Sequence, residues 1–230
     1  MSHPQQQDFV RHVKKHFPAF FAGQRVLEIG SLDINGAVRS HFSDCNYTGL
    51  DVGEGHGVDV VCQGQDYDAP DGSFDVVISC EVMEHNPYWK ETFQNMARVC
   101  RPGGLIIMTC ACLGRPEHGT TRTSKDQAPL VPWEYYKNLN AKDFLSNLPI
   151  KKLFSDFEFI ENFDFCDLYF LGFKSGGPSP SNARRAFLKL RIYYYLENIR
   201  HLSALKRRAT IAVFGEPRYI AGPIRLWPFK

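Results

Sequence analysis

The chain has 230 residues, of which 43% are hydrophobic and 23% are charged, and its formal net charge at pH 7 is +2. These values exclude wholesale disorder, and the length suits one domain, alone or with an appendage. The longest uncharged apolar run, Pro102 to Gly114, is shorter than the roughly 20 residues of a membrane-spanning helix. The N-terminus lacks the apolar core of a signal peptide, and the cysteines include no CxxC pair, so reduced thiols in a cytoplasmic protein are expected.

Basic residues are concentrated towards the C-terminal end of the chain. Residues 178–230 contain 11 Lys or Arg but only 2 Asp or Glu. Residues 1–177 contain 16 Lys or Arg and 23 Asp or Glu. The sequence therefore joins an acidic body to a basic segment. This asymmetry predicts contact of the basic segment with an acidic surface or with the body itself.

The hydrophobic pattern predicts helices and strands that alternate along the chain. Helical spacing of apolar residues predicts helices over Gln5 to Phe21, Asn35 to Phe42, Tyr88 to Cys100 and Ala141 to Leu148. Short apolar runs predict strands over Arg25 to Ile29, Tyr47 to Asp51, Val58 to Cys62, Phe74 to Cys80 and Leu105 to Cys110. This order predicts an α/β fold with a doubly wound, mostly parallel sheet that is covered on both faces.

The second half of the chain follows a different pattern. Ala111 to Leu130 is predicted to be a long loop, and Phe157 to Phe163 with Phe165 to Lys174 an antiparallel pair that completes a seven-stranded sheet. Asn182 to Arg208 predicts a basic amphipathic helix with one apolar stripe, formed by Leu188, Ile192, Leu196, Ile199 and Leu202. The chain is therefore divided into an N-terminal helix (1–23), an α/β domain (24–174), a linker (175–181) and a basic C-terminal helical extension (182–230).

The segment VLEIGSLDINGAVR, residues 26–39, joins a predicted strand to a predicted helix. Gly30 and Gly36 allow a ligand to approach the backbone, and the helix would present free N–H groups to it. An ordinary strand-to-helix turn is the alternative interpretation. Leu32 replaces the second glycine of the G-x-G-x-x-G fingerprint, and the sequence has no G-x-x-x-x-G-K-[ST] phosphate loop. Nicotinamide and nucleoside triphosphates are therefore disfavoured as ligands.

Polar or reactive residues stand at or just after the predicted strand ends: Glu28, Asp51, Gln63 and Cys80. Ligands of such sheets bind at the carboxyl ends of the strands, near the point where the strand order reverses. We therefore expect one crevice to collect these residues. An acidic residue in the place of Asp51 can accept hydrogen bonds from two ribose hydroxyls.

Four segments occur in an order that resembles a known family. Val26–Arg39, Asp51, Ser73–Val77 and Arg101–Ile107 together resemble class I S-adenosylmethionine-dependent methyltransferases, in particular the group with sFDvV…EH and RvLrPGG segments. The resemblance covers residues 24–107, with weaker similarity up to residue 174. It implies a Rossmann-like methyltransferase fold, with S-adenosylmethionine as cofactor and S-adenosylhomocysteine as product.

The resemblance also implies which residues bind the cofactor: Glu28, Gly30, Ser31, Gly36, Asp51, Val52, Cys62, Gln63, Ser79 and Cys80. Glu28 and Gly30 belong to the loop beneath the methionine moiety, and Asp51 binds the ribose with Val52 beside the adenine. Cys62 and Gln63 contact the adenine edge, and Ser79 and Cys80 lie where the strand backbone meets the methionine end. The glycine loop is longer than is usual in the family. The adenine segment, VCQGQDYD, lacks the common Gly-Asp-Ala.

Two histidines are candidate bases for removing a proton from the methyl acceptor. His85 follows the fourth strand, and His118 lies in the long loop, which would fold over the acceptor. We favour His85, because a strand end is held more rigidly than a loop. The alternatives are a packing or capping role for His85 and a solvated loop position for His118. Glu81 and Glu84 are interpreted as caps and solvated charges, so no metal site is predicted.

The predicted reaction is methyl transfer to an oxygen or nitrogen of a small polar molecule or glycan precursor. Polar loop residues favour this acceptor: Arg115, Thr120, Thr121 and Arg122. A quinone or lipid acceptor at a membrane surface and a non-catalytic S-adenosylmethionine-binding scaffold are the alternatives. Three aromatic residues either line an acceptor pocket or belong to the core: Trp133, Tyr135 and Tyr136.

The basic extension has three interpretations. It packs on the acidic body or on a second subunit of a homo-oligomer, it lies on an anionic membrane as a peripheral contact, or it binds nucleic acid. Aromatic residues that suit a membrane interface are Tyr193, Tyr194, Tyr195, Trp227 and Phe229. No nucleic-acid recognition motif accompanies the basic residues. We favour packing on the body or on a second subunit.

Overall fold

Seven strands occur in the computed structural model, which describes residues 3–34, 36–200 and 202–216. They are β1 (Arg25–Ile29), β2 (Asn46–Asp51), β3 (Val60–Val61), β4 (Phe74–Cys80), β5 (Cys100–Ala111), β6 (Phe154–Asn162) and β7 (Asp167–Lys174). The strands form one sheet in the order β3-β2-β1-β4-β5-β7-β6, and every pair is parallel except those that β7 makes with β5 and β6. The predicted doubly wound, mostly parallel sheet of seven strands is confirmed.

Helices cover both faces of this sheet. The α-helices of the described residues are α1 (Pro4–His16), α2 (Trp89–Val99), α3 (Ala141–Asn147), α4 (Ile150–Leu153), α5 (Ala183–Arg200) and α6 (Leu202–Phe214). Single turns of 3-10 helix lie at Pro18–Phe21, Val38–His41, Met83–His85 and Lys125–Gln127. Successive strand residues point to opposite faces, so the core forms two layers. Val76 and Ile78 pack in the layer of α1 and α5, whereas Val77 packs in the layer of α2 and α3.

Several predicted boundaries differ from the observed elements. β1 and β4 have the predicted bounds, whereas β3 is shortened to two exposed residues at the edge of the sheet. β5 begins at Cys100, ahead of the predicted start, because Arg101 to Gly104 continue the strand with an irregular register against β4. The predicted linker runs against this irregular turn, where Gly177 closely approaches Pro102.

The helix predicted over Asn35 to Phe42 is wrong: only one turn of 3-10 helix, Val38–His41, follows β1. Gly36 has a φ of 118° and Ala37 is extended, so a helical conformation begins only at Val38. Phe42 is extended again. The sheet face beside β1 is instead covered by α1, whose buried apolar residues share a cluster with Val26 and Val38. The described residues of the loop after β1 therefore lack the expected helix N-terminus.

Within its described residues, the C-terminal extension contains two helices, α5 and α6, in place of the one predicted helix. α5 packs on the body through Ala183, Ala186, Phe187, Leu190 and Tyr194. Four members of the predicted apolar stripe face solvent instead: Leu188, Ile192, Leu196 and Ile199 are all exposed. The side chain of the fifth, Leu202, lies outside the described part of the chain. The stripe was inferred correctly as a helix face, but α5 has a second apolar face, and its small alanines allow close packing there. Trp227 and Phe229 lie outside the described residues.

In the described part of the chain, no helix combines the length and the apolar character that crossing a membrane requires.

Candidate active site

A cleft that is open to solvent runs along the carboxyl ends of the parallel strands. The strand order places the segment after β3 at one end, followed by the ends of β2, β1 and β4. Each strand contributes to the wall: Gln63 after β3, Asp51 of β2, Gly30 after β1 and Glu81 after β4. The 112–140 loop, which contains His118, closes the other side. The predicted crevice at the strand ends is thus present.

Gly30 forms the floor of the cleft where β1 meets β4. Its φ is 84°, and a Cβ atom at this position would overlap Cγ2 of Val82. Glycine is therefore required here both by the backbone conformation and by the close approach of the next strand end. The N–H groups of Gly30 and Ser31 donate to the carbonyl of Leu50 at 2.8 and 3.0 Å, which fixes the turn against β2.

Asp51 holds the rim of the cleft at the end of β2. Its carboxylate accepts from the backbone N–H of Leu32 at 2.9 Å and from that of Val52 at 2.8 Å. Each carboxylate oxygen retains a second lone pair, so the same group can accept further hydrogen bonds from a ligand. Val52, Cys62 and Gln63 continue the wall beside it. Of the predicted cofactor residues, Gly30 and these four line the cleft.

The other predicted cofactor residues do not line the cleft: Glu28, Ser31, Gly36, Ser79 and Cys80. Glu28 and Cys80 lie in strand positions that face the α1 layer, because strand side chains alternate. Ser31 is buried against Gly49 of β2, and Gly36 lies beside Gln7 of α1. Ser79 is enclosed between the neighbouring strands. The implied role of the β4 backbone at this point stays a prediction.

His85 and His118 meet at the β4 end of the cleft. Their rings are perpendicular with centroids 4.8 Å apart, and the ring of Tyr136 packs on both, at 5.4 and 4.9 Å. Both histidines line the cleft, although each is more than nine-tenths buried. The indole N–H of Trp133 donates to the carbonyl of His85. The structure therefore brings the two predicted base candidates together.

The two imidazoles differ in their contacts. Nδ1 of His118 lies 3.1 Å from the carbonyl of Pro116, and because a carbonyl can only accept, this nitrogen carries the proton. In neutral His118 the lone pair is therefore on Nε2. Burial, and next the neighbouring His118, lower the pKa of His85 to about 3. Burial and Arg115 also lower the pKa of His118, but its bond to Pro116 and the nearby Glu81 oppose this shift.

Two carboxyl groups extend this polar cluster. Glu81 has a φ of 57°, in the left-handed region, and Oε2 of Glu81 and Oε2 of Glu84 are buried without a hydrogen-bond partner among the described residues. Burial raises the pKa of Glu84 well above its usual range. Donor atoms of Glu84, His85 and His118 lie within 4.8 Å of one another, a mixed set that divalent metals accept. The absence of a metal site stays a prediction.

The interpretation of Glu81 and Glu84 as caps and solvated charges is wrong, because both side chains are buried at the β4 end; other cleft residues were not singled out from the sequence at all. Glu81 follows a strand end just as Asp51 ends one, so the rule that ligands bind at strand ends would have identified it. Leu32, Gln65 and Asn86 also line the cleft. Residues 127–131 of the 112–140 loop close it from above, and no pattern in their sequence indicates that position. Of the three candidate pocket aromatics, Trp133 lines the cleft.

Comparison with known proteins agrees with this geometry. The family model described as a methyltransferase domain matches residues 27–108, which extend from β1 into β5. No curated protein matches the sequence. The sheet order and the match over residues 27–108 agree with the fold that the resemblance to class I S-adenosylmethionine-dependent methyltransferases implies. The methyltransferase activity and the S-adenosylmethionine cofactor that the resemblance implies are consistent with this match.

Solved structures share the fold at low sequence identity. Haemonchus contortus phosphoethanolamine N-methyltransferase 2, in complex with phosphomonomethylethanolamine and S-adenosylhomocysteine, is 18% identical with a TM-score of 0.55; the match covers 75% of this chain and 53% of that one. Burkholderia thailandensis 1,6-didemethyltoxoflavin-N1-methyltransferase, with 1,6-didemethyltoxoflavin and S-adenosylhomocysteine, is 12% identical over 76% and 92% of the chains, with a TM-score of 0.50. A putative methyltransferase from Bacillus halodurans is 11% identical over 74% and 99%, with a TM-score of 0.51. This chain spans about half the length of the Haemonchus protein.

Proposed function

We propose that this chain transfers the methyl group of S-adenosylmethionine to an oxygen or nitrogen of a small polar molecule or glycan precursor. The observation that carries the proposal is that one cleft is lined by Asp51 and Gly30 at the predicted cofactor end and by His85 and His118 at the other end. Both histidines are neutral, because burial lowers the pKa of each. A donor and an acceptor can therefore bind side by side. Holding both in one cleft supplies the alignment that this reaction mainly needs.

The cofactor would lie along the sheet edge in the direction of the strand order. Asp51 would accept hydrogen bonds from the ribose hydroxyls, with Val52, Cys62 and Gln63 around the adenine. The methionine moiety would cross Gly30, whose missing side chain leaves room above Val82. This orientation directs the methyl group towards the β4 end, where the acceptor would meet it. S-adenosylmethionine supplies an activated methyl group when bound, and the protein supplies its position.

The acceptor site would be the pocket between the β4 end and the 112–140 loop. The transfer would form a bond between the acceptor atom and the methyl carbon and break the bond from that carbon to sulfur, whose electron pair would remain on sulfur. The acceptor's proton passes to a base where the acceptor requires it. We assign this role to Nε2 of His118, because its Nδ1 proton is held by Pro116 and two contacts favour its protonated form. His85, whose pKa lies near 3, holds a proton too weakly for this role and positions His118 instead.

A quinone or lipid acceptor is the second candidate. The observation that favours it is the exposed apolar face of α5, which would bring the enzyme to a membrane that contains such an acceptor. A scaffold that binds S-adenosylmethionine without turnover predicts cofactor affinity and no product with any acceptor. The buried polar cluster of Glu81, His85 and His118 at the β4 end supports catalysis over this scaffold function.

A tracer experiment tests the proposal. The full chain is incubated with a small-molecule extract and S-adenosylmethionine that carries a labelled methyl group, and the labelled products are separated and identified. The expected result is a labelled polar product together with an equal amount of S-adenosylhomocysteine. Label in the lipid-soluble fraction alone would replace the polar acceptor with the second candidate. Cofactor binding without any labelled product or S-adenosylhomocysteine would contradict methyl transfer.

A further inference from the structure

α5 is apolar on two opposite faces. One face, with Phe187, Leu190 and Tyr194, is buried against the sheet and α1. The opposite face carries five large exposed residues at helical spacing, which we call the outer stripe: Leu188, Ile192, Tyr195, Leu196 and Ile199. The outer stripe extends over about 16 Å along the helix. A contiguous exposed apolar surface of this kind marks an interaction site, whereas scattered single residues do not.

Basic residues flank the outer stripe on both sides. At 100° per residue, Arg184 and Arg191 lie on one side of it, and Arg185, Lys189 and Arg200 lie on the other. Glu197 is the single acidic residue of α5. Among the described residues, Arg185 and Lys189 are exposed and have no ion pair, whereas Arg184 and Arg191 pair with Asp156 and Glu158 of β6. Two cations beside the stripe are therefore free to bind an external anion.

We propose that the outer stripe of α5 docks on an anionic lipid surface. An apolar face that enters the boundary between headgroups and acyl chains, with Lys and Arg on its flanks, is the physical pattern of an interfacial helix. Long basic side chains reach from the helix flank to lipid phosphates, and tyrosine suits the same boundary because its ring is apolar and its hydroxyl is polar. Tyr195, a residue of the outer stripe that is 61% exposed, has this character.

Charge favours a lipid surface over a second copy of this chain. Glu197, the single acidic residue of α5, already pairs with Arg200 at 2.6 Å, so the same face of a second copy offers Arg185 and Lys189 no free carboxylate. Nucleic acid would satisfy the cations but would leave the apolar stripe in water. An anionic membrane satisfies the charges and the apolar surface at once. This inference stands independently of the acceptor proposed above, because it depends on α5 alone.

Vesicle co-sedimentation of the full chain tests this proposal. The chain is mixed with vesicles of phosphatidylcholine alone or of phosphatidylcholine and phosphatidylglycerol in equal parts. We expect binding to the anionic vesicles that weakens as salt is added, and little binding to the neutral ones. Equal binding to both kinds of vesicle, or binding to neither, would overturn the proposal.

Paired variants separate the docking face from non-specific adhesion. Ile192→Asp should lower the partition coefficient at least about tenfold, whereas Leu145→Asp on α3 should not, although Ile192 and Leu145 are 48% and 46% exposed. Arg185→Gln with Lys189→Gln should lower it about thirtyfold, because each basic residue near an anionic surface contributes about fivefold. The matched control, Lys151→Gln with Lys152→Gln on α4, removes the same charge from exposed positions elsewhere. Equal losses in a variant and its control would contradict the assignment to α5.

The alternative occupants give opposite results. Sedimentation velocity that shows a dimer of the full chain, converted to a monomer by Ile192→Asp, would assign the face to a second copy and overturn the lipid proposal. Tight binding of duplex DNA with no vesicle binding would overturn it in favour of nucleic acid. Circular dichroism of each variant establishes that the fold is retained.

Discussion

The hydroxyl of Tyr47 on β2 donates a hydrogen bond of 2.8 Å to the carboxyl group of Glu28 on β1. Glu28 is almost fully buried, and this burial raises its pKa to about 7 in spite of the bond from Tyr47. Glu28, which the sequence predicts to bind the cofactor, is thus part of the core beneath the cleft. Its carboxyl group links the stability of the fold to pH.

Glu28→Gln should remove a pH-dependent loss of stability. The folded state holds the proton of Glu28 more tightly than the unfolded chain does, so the stability from this proton is present below pH 4.5 and is lost as pH rises through 7. Relative to wild type, the variant should gain about 3 kcal/mol between pH 4 and pH 8, since one pKa unit corresponds to about 1.4 kcal/mol. Urea unfolding at both pH values measures this, with exposed Asp68→Asn as control. Parallel pH curves for wild type and Glu28→Gln would contradict the buried charge.

Gly30→Ala should weaken cofactor binding in addition to straining the backbone. Gly23 and Gly30 have φ values of 65° and 84°, so alanine is strained at both positions, but only at Gly30 does the new Cβ meet another side chain. Gly23→Ala should cost about 1–2 kcal/mol of stability and leave cofactor affinity unchanged. Gly30→Ala should cost more and weaken binding of S-adenosylhomocysteine. Equal effects of the two variants on stability and affinity would exclude the proposed close approach.

Arg115→Met should expose the cost of a buried charge pair. Nη1 of Arg115 lies 3.2 Å from Oδ1 of Asp167, whose side chain is 1% exposed. Removing the cation leaves the buried carboxyl group of Asp167 with only the neutral donors Gln6 and Tyr169, and we expect a loss of about 3–5 kcal/mol in the free energy of unfolding. Arg184→Met breaks an exposed pair with Asp156 and should cost less than about 1 kcal/mol. Adding Asp167→Asn to Arg115→Met should recover part of the loss, and no recovery would indicate that packing, not charge, is responsible.

His118→Gln should lower the rate of methyl transfer about 10²–10⁴-fold, because glutamine does not take a proton at neutral pH. S-adenosylhomocysteine affinity should change little. His85→Gln should have a smaller effect, and the wild-type rate should fall on acidification as His118 becomes protonated. The production of S-adenosylhomocysteine against pH measures all three. If His85→Gln is inactive and His118→Gln is not, His85 is the base, as the sequence suggested. If both variants remain active, the acceptor needs no base from the protein.

Elements whose apolar residues allow only one packing arrangement were predictable from the sequence. β4 is buried on both faces, and its FDVVISC run gave the observed bounds. Asp51 and Gln63 follow strand ends, so the parallel sheet alone brings them to one edge. His85 and His118 were chosen for their chemistry, and the sequence contained no information on the 4.8 Å between their rings. That distance depends on how the 112–140 loop folds back.

Elements whose sequence allows two packing arrangements were not predictable. α5 has apolar residues on both faces, and only the fit of Phe187 and Ala186 against the sheet decides which face is buried. The missing helix after β1 depends on the backbone at Gly36 and on α1, which covers the same sheet face. Tertiary packing decides both cases, and the periodicity of one segment carries no information about the elements that pack against it.

Calorimetric titration of S-adenosylhomocysteine into the full chain, into Asp51→Ala and into Asp68→Ala tests the central claim most directly. Among the described residues of the cleft wall, Asp51 is the one acidic group that accepts two backbone N–H bonds and retains lone pairs for the ribose, whereas Asp68 is exposed elsewhere. The account predicts one-to-one binding by the wild type and by Asp68→Ala, and affinity weakened by about 1–3 kcal/mol in Asp51→Ala. Absence of binding by the wild type at millimolar concentration, or equal affinity in all three proteins, would contradict it.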